Sequence, residues 1–346
     1  MDWELFNIFL AFIIGVLIHS VIIEFSHKKN MFMDAQLKVQ KVHKTPVPRI
    51  GGLGVFLASL FMVFDQDIGQ LLVISTIPVF LAGFIEDFTE NASPLHRLLI
   101  MSLGPILLYA FLHYQGFTHT FAQGYWAALL FISLFLFING IINGVNFIDG
   151  SNGLAGGTAF ITSLAITILA SIVGDQSLFY LAAILSASIL AFLIFNFPNA
   201  KIFLGDSGSY TLGFYISSLT ILLVFRNHDY IDWMFIPVLL MYPIVEVGFS
   251  IFRKVFIDKL SPVVSDRNHL HQLIFRNVKY PKPYIPVMTI LPFQVLFLLL
   301  AIIFRGYTVI LFAIFVLFVV LYVTMYTRER KIMYRRYKEM RSKLKS

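Results

Sequence analysis

The chain has no cysteine among its 346 residues, which excludes disulfides, thiol nucleophiles and cysteine-ligated metal centres. Charge is scarce as well. Only 13% of residues are charged while 58% are hydrophobic, and the mean hydropathy is +0.81. A soluble domain needs far less apolar material. Long polar blocks are also missing, so no segment can bury a separate soluble core. The composition therefore predicts an all-α, polytopic membrane helical bundle.

What is present is a series of apolar runs. A bilayer core takes about 20 apolar residues of helix, and the pattern predicts eleven spans, near 3–25, 50–66, 69–86, 95–113, 125–143, 154–173, 177–197, 204–225, 232–252, 285–304 and 307–326. They form one transmembrane domain over residues 1–326, followed by a basic tail over 327–346. The opening run from Met1 to Ile23 lacks a basic n-region and a small-residue cleavage site, so it reads as a retained first span.

Threaded this way, all of the 26 Lys and Arg residues except Arg226 and Arg305 fall on one side. Short loops rich in Lys and Arg stay cytoplasmic. The N-terminus is thus expected outside the plasma (inner) membrane, with the C-terminus and the polar motifs in the cytoplasm. The net charge of +7 lies beside membrane spans rather than on a separate basic domain. It predicts anionic lipid headgroups as partners and no nucleic acid.

The informative residues are polar groups that a bilayer penalises, because carboxylates at membrane-helix ends are rare and mark function. Five segments on the expected cytoplasmic face hold them or their partners. The first runs from Lys41 through His43 and Arg49 to Gly54, cationic, stiffened by two prolines, and opening the next helix with Gly51, Gly52 and Gly54. Such a loop suits phosphate, or it is a positive-inside loop feeding a small-residue helix contact. The second is the Glu86-Asp87 pair at the inner end of the third span. Adjacent carboxylates there oppose the helix macrodipole, which implies a cationic or proton-transferring partner. Alternatively Asp87 begins the turn to Ser93 and Pro94, a good N-cap and N1 pair.

The third segment runs from Asn139 to Gly157, in which Asn143, Asn146 and Asp149 recur every three residues, with Asn152 following. If the fifth span stays helical here, the three line one face, where amides and a carboxylate can hold a hydrated cation and a diphosphate. The fourth opens the eighth span with Gly205, Asp206, Ser207 and Gly208. Asp206 reads as an N-cap, as a ligand of a hard divalent ion that takes one or two protein carboxylates plus substrate phosphates, or as both. The fifth, in the long loop, carries Arg267, His269 and His271. Histidines at i and i+2 lack the i, i+4 spacing of a helical zinc pair, so they point to phosphate or sugar hydrogen bonding.

In their order and wording the five segments resemble the polyprenyl-phosphate N-acetylhexosamine-1-phosphate transferase family, of glycosyltransferase family 4 type, over about residues 40 to 275. The family includes initiating enzymes of O-antigen, capsule and teichoic-acid linkage synthesis and phospho-N-acetylmuramoyl-pentapeptide translocase. The resemblance implies Mg²⁺-dependent transfer, with Mn²⁺ as an alternative, of a HexNAc-1-phosphate from a UDP-HexNAc to undecaprenyl phosphate. UMP is released and a lipid-linked cell-surface polysaccharide is begun. It is also compatible with a homodimer.

Carried onto matching positions, the resemblance makes Asp206 the metal-binding aspartate, with Asn146 a further ligand. Glu86 and Asp87 become the acidic pair implicated in lipid-phosphate deprotonation or attack, and Asp149 joins them as catalytic. Lys41, His43, Asn143, Asn152, Arg267, His269 and His271 become substrate-binding. Three departures stand out. Glu86 replaces a common aspartate, Asn152 is neutral where many bacterial members have a second aspartate, and His269-Leu270-His271-Gln272 replaces consecutive histidines. The last favours a surface-polysaccharide initiator over the peptidoglycan translocase. The rivals are a non-catalytic lipid-binding paralogue and an ion-coupled secondary transporter. The latter usually has midplane sites and repeated halves, whereas here the polar clusters sit at helix ends on one face.

Overall fold

The structure is a computed structural model that describes residues 3–34, 46–65, 67–89, 91–116, 123–261, 268–278 and 280–343. Among these residues it is helical throughout, with one isolated antiparallel bridge between Met33 and Pro48. Among the described residues nine helical segments are long and apolar enough to cross a membrane. In chain order the helices are α1 (Trp3–Lys29), α2 (Gly51–Ser59), α3 (Ile68–Thr89), α4 (Pro94–Met101), α5 (Leu103–Tyr114), α6 (Tyr125–Ile148) and α7 (Leu154–Val173). They continue with α8 (Gln176–Asn196), α9 (Gly205–Arg226), α10 (Phe235–Leu239), α11 (Met241–Phe252), α12 (Leu270–Asn277), α13 (Ile285–Ile303) and α14 (Thr308–Lys343).

Two of the eleven expected spans take a different form. The run at 50–66 is α2 followed by a 3₁₀ turn, Leu60–Phe64. The run at 232–252 is broken at Leu240 into α10 and α11. Pro243 is the physical reason for the break, since it has no N–H to return to the carbonyl of Leu239. Thr162 of α7 donates its hydroxyl to that orphaned carbonyl at 3.2 Å. A backbone group at membrane depth is thereby satisfied by a neighbouring helix rather than by water. Pro105 similarly separates α4 from α5, which together fill the span expected at 95–113.

The centre of the bundle is α9, buried along its whole length. It has the lowest mean hydropathy of the nine segments, the reverse of a soluble core. Lipid, not water, is the outer solvent, so small polar residues can pack inside among the buried apolar side chains while Leu, Ile and Phe also face outward. Ser217 and Thr220 of α9 return their hydroxyls to Gly213 O and Ile216 O at 2.7 and 2.6 Å. The outward face of the bundle carries Phe9, Leu17, Ile74, Leu136, Ile194 and Leu299, all more than a third exposed. Around α9 lie α2, α3, α6 and α7, while α1 packs on α8 and α14 on α12.

Glycine lets backbones meet at the start of α9. A Cβ on Gly52 would lie 2.1 Å from Gly208 N, and one on Gly83 would lie 2.4 Å from Ser207 N. Only glycine permits such contacts, so α2 and α3 both touch the first turn of α9 directly. The chain just before α2 is also pinned there. Phe203 N donates to Pro48 O, Gly51 N to Phe203 O and Gly52 N to Leu204 O, each at 2.8 Å. The turn that carries Asp206 is thus fixed against three separate segments.

Candidate active site

Asp206 occupies the first turn of α9 and is 8% exposed. It does not cap its own helix. Its Oδ1 accepts from Arg49 Nη2 at 2.9 Å and from Asn146 Nδ2 at 3.1 Å, and its Oδ2 from Arg97 Nη1 at 3.1 Å. The amide of Asn146 also donates to Ser209 Oγ at 3.0 Å. Two guanidiniums therefore already stand against this carboxylate, and charge-assisted bonds of this kind are the strong ones.

Capping of α9 falls to Asp87, from the far end of α3. Its Oδ1 accepts from Asp206 N at 2.8 Å, and its Oδ2 from Ser207 N at 2.9 Å and Ser207 Oγ at 2.6 Å. This accounts for the unfavourable position of the acidic pair on its own helix. Asp87 sits at the negative end of α3 because it serves the positive end of α9, whose first amides have no intrahelical acceptors. Arg49 Nε lies 3.9 Å from Asp87 Oδ1. Glu86 is half-buried, 3.7 Å from Arg97 Nη1, and accepts from Ala92 N at 3.0 Å. Ser93 and Pro94 begin α4 as expected, Ser93 accepting from His96 N.

Helix α6 does continue through the asparagine-rich segment and ends at Ile148, with Asp149 at its C-cap. Burial pushes the Asp149 carboxyl up to about 7, with Asp206 and Asp87 adding to the effect and Arg49 opposing it. Burial weakens the charge on Arg49, but Asp206, Asp87 and Asp149 together outweigh this and raise its pKa above the usual arginine value. Arg49 is the common cation of the three aspartates.

The predicted residues thus converge in part. Asp87, Asn146 and Asp206 are in direct contact, Glu86 joins through Arg97, and Asp149 joins through its charge. Asn143 donates instead to Asn139 O at 2.8 Å in its own helix, and Asn152 to Pro198 O at 3.0 Å. Lys41, His43 and Arg267 lie outside the described residues. Sequence reasoning missed Arg49 and Arg97 as carboxylate partners, although Arg49 lies within the first predicted segment and Arg97 follows the second.

His269 and His271 form a second cluster beside the first. Their rings stack with centroids 5.9 Å apart, and His269 lies 5.2 Å from the ring of Phe147, next to Asn146 in α6. His271 is fully buried, and its Nε2 lies 2.4 Å from where a Cβ on Gly150 would stand, one residue after Asp149. Burial pushes the His271 imidazole down to about 4, against the opposing pull of Glu246. Glu246 of α11, 1% exposed, holds His269 Nδ1 at 2.8 Å from its Oε1. No sequence motif pointed to Glu246; its signal was a single carboxylate inside an apolar run.

Oxygen donors suited to a hard cation are present in Asp206, Asn146 and Asp149. Among the described residues no group of three or more His, Cys, Asp or Glu side chains is gathered as a metal cage. This donor set fits Mg²⁺, which keeps waters and binds through one or two carboxylates plus substrate phosphates.

Residues 70–224 match the model of Glycosyl transferase family 4. The chain is 29% identical over 283 residues to the Bacillus subtilis (strain 168) protein named "Probable undecaprenyl-phosphate N-acetylglucosaminyl 1-phosphate transferase", covering 78% of each. It is 28% identical over 303 residues to the undecaprenyl-phosphate alpha-N-acetylglucosaminyl 1-phosphate transferase of Thermotoga maritima, covering 87% of this chain and 91% of that one. Identity to the phospho-N-acetylmuramoyl-pentapeptide-transferase of Oceanobacillus iheyensis is 30% over 247 residues, 63% of this chain and 75% of that one.

Proposed function

The chain belongs to glycosyl transferase family 4, and from that premise we propose that it transfers an N-acetylhexosamine-1-phosphate, most simply GlcNAc-1-phosphate, from a UDP-sugar to undecaprenyl phosphate. The observation that carries this reading is the Asp206 carboxylate, set in the first turn of a buried helix and ringed by Arg49, Arg97 and Asn146. A phosphoryl transfer needs chiefly positioning and neutralisation of developing charge, and this arrangement offers both. The two relatives named for GlcNAc-1-phosphate transfer support the choice of sugar.

In the proposed reaction an oxygen of the lipid phosphate attacks the β-phosphorus of the nucleotide sugar. The bond from that phosphorus to the bridging oxygen breaks, and UMP leaves with the electron pair. Mg²⁺ held by Asp206 and Asn146, with Mn²⁺ as an alternative, would neutralise charge on the diphosphate. Arg49 and Arg97, released from Asp206 as the phosphates arrive, would then serve those phosphates. A proton on the incoming lipid phosphate would pass to Glu86 or Asp149. Asp87, with both oxygens engaged by the first turn of α9, would act by holding Asp206 in place.

The outward apolar face of the bundle suits a polyprenyl tail, and the basic face is proposed to be cytoplasmic, where the nucleotide sugar is found. The test is to incubate purified protein with undecaprenyl phosphate, Mg²⁺ and a panel of UDP-HexNAc donors, with and without EDTA. UMP and lipid-linked product formed in step from one donor, and abolished by EDTA, are expected. Absence of turnover with every donor would overturn the proposal.

A further inference from the structure

Glu246 has no part in the proposed transfer step, yet a carboxylate buried in a membrane helix is costly and is retained only with a partner. Its partner is His269, whose Nδ1 lies 2.8 Å from Glu246 Oε1. The phenols of Tyr242, one turn earlier in α11, and of Tyr322 in α14 lie beside the same carboxylate. All four residues are at most 7% exposed. Helix α11, helix α14 and the start of α12 therefore meet at one carboxylate.

This arrangement constrains His269 in two ways. An acceptor at Nδ1 fixes the proton on that nitrogen, so contact with a substrate oxygen would run through Nε2. The stacked ring of His271 and the ring of Phe147 hold the plane of the imidazole. A second restraint acts on the backbone, where His269 N donates to Gln272 Oε1 at 3.4 Å. The cluster borders the carboxylate site, because Phe147 follows Asn146 and His271 packs against Gly150.

We propose that Glu246 is a positioning residue of the active site, which fixes the tautomer and orientation of His269 so that Nε2 meets the diphosphate of a nucleoside diphosphate sugar. This inference rests on the transfer reaction proposed above. A carboxylate behind an imidazole typically contributes about 10- to 100-fold to the function of the ring it orients, by analogy with metal-site histidines.

The experiment is a double-mutant cycle on the full-length protein in detergent, with E246Q, H269A and the double variant. Readouts are kcat and KM for the UDP-HexNAc that the wild type uses, UDP affinity by calorimetry, and unfolding temperature. The expected result is a roughly tenfold or greater fall in kcat/KM and in UDP affinity for E246Q, with the double variant no worse than H269A alone. Glu246→Asp, which keeps the charge on a shorter arm, is expected to fall between wild type and E246Q. An active wild type with losses that multiply, or with E246Q unchanged, would overturn this assignment and leave the transfer reaction standing. E246Q and E246D both failing to fold would make Glu246 a packing residue and also overturn it. A wild type that neither binds UDP nor turns over any donor would overturn both readings.

Discussion

Ser207 reaches Asp87 twice, its backbone N–H at 2.9 Å and its hydroxyl at 2.6 Å from the same oxygen, Asp87 Oδ2. One carboxylate from the end of α3 thereby closes the start of α9, through a bond between residues 120 positions apart in the chain.

Loss of that carboxylate is expected to show first in stability. Asp87→Ala leaves two buried amides and a hydroxyl without an acceptor, at a cost of about 1–3 kcal/mol. Asp87→Asn, which retains one acceptor oxygen, should lose less. Glu86→Gln should leave the unfolding temperature close to wild type while lowering turnover. Thermal unfolding in detergent beside UMP release separates these outcomes, and equal melting shifts for Asp87→Ala and Glu86→Gln would contradict the capping role.

Asp206→Asn is expected to reduce turnover by about 10²-fold or more, the scale of removing a principal electrostatic group from an active site. Any rise of unfolding temperature with Mg²⁺ in the wild type should vanish in this variant. EDTA should abolish wild-type turnover, and added Mg²⁺ should restore it. Retained Mg²⁺ stabilisation in Asp206→Asn would move the metal elsewhere.

Gly52→Ala places a methyl group 2.1 Å from Gly208 N and 2.4 Å from Gly208 Cα. Neither backbone atom can swing aside, so α2 must separate from α9, at a cost of about 1–3 kcal/mol. The shift would also draw Arg49 away from Asp206, and activity should fall with stability. Gly248→Ala in α11 is the control, because nothing lies within 4 Å of its added carbon. That variant should melt at or slightly above the wild-type temperature.

The buried His271 predicts an acid-dependent loss of stability. Its pKa is about 4 in the folded protein against 6.5 ordinarily. Between these values the unfolded chain binds a proton that the folded chain refuses. Stability therefore falls as pH drops from about 6.5 towards 4 and levels below that, by about 3 kcal/mol in total. His271→Asn should flatten the dependence of unfolding temperature on pH across this window. An unchanged slope would assign the effect to other groups.

Much of this architecture was legible in the sequence because the bilayer leaves few options. Apolar runs of span length must become helices, and nine of the eleven expected spans appear as helices of sufficient length and hydropathy. Glycine, carboxylate and amide signals located Asp87, Asn146 and Asp206, since such residues at helix ends are too costly to be incidental. Of the two exceptions, one has a local cause that periodicity does not register: Pro243 breaks the run at 232–252. The other, the run at 50–66, is helical from Gly51 to Phe64 but turns 3₁₀ at Leu60 and stays short of a full span.

The tertiary structure alone decided which groups each carboxylate serves. Asp87 reads locally as a misfit at the negative end of α3, and only the approach of α9 turns it into a cap. Arg49 reads as part of a positive-inside loop until the backbone bonds from 48–52 to 203–204 bring it to Asp206. Asn152 and Asn143 read as site residues, yet the fold gives their amides to Pro198 O and Asn139 O. Glu246 carried no motif at all. A sequence shows that a charge in a membrane helix must be compensated, because desolvation makes an isolated one untenable. Which distant side chain compensates it depends on distances of a few ångströms between helices, and those are set by packing.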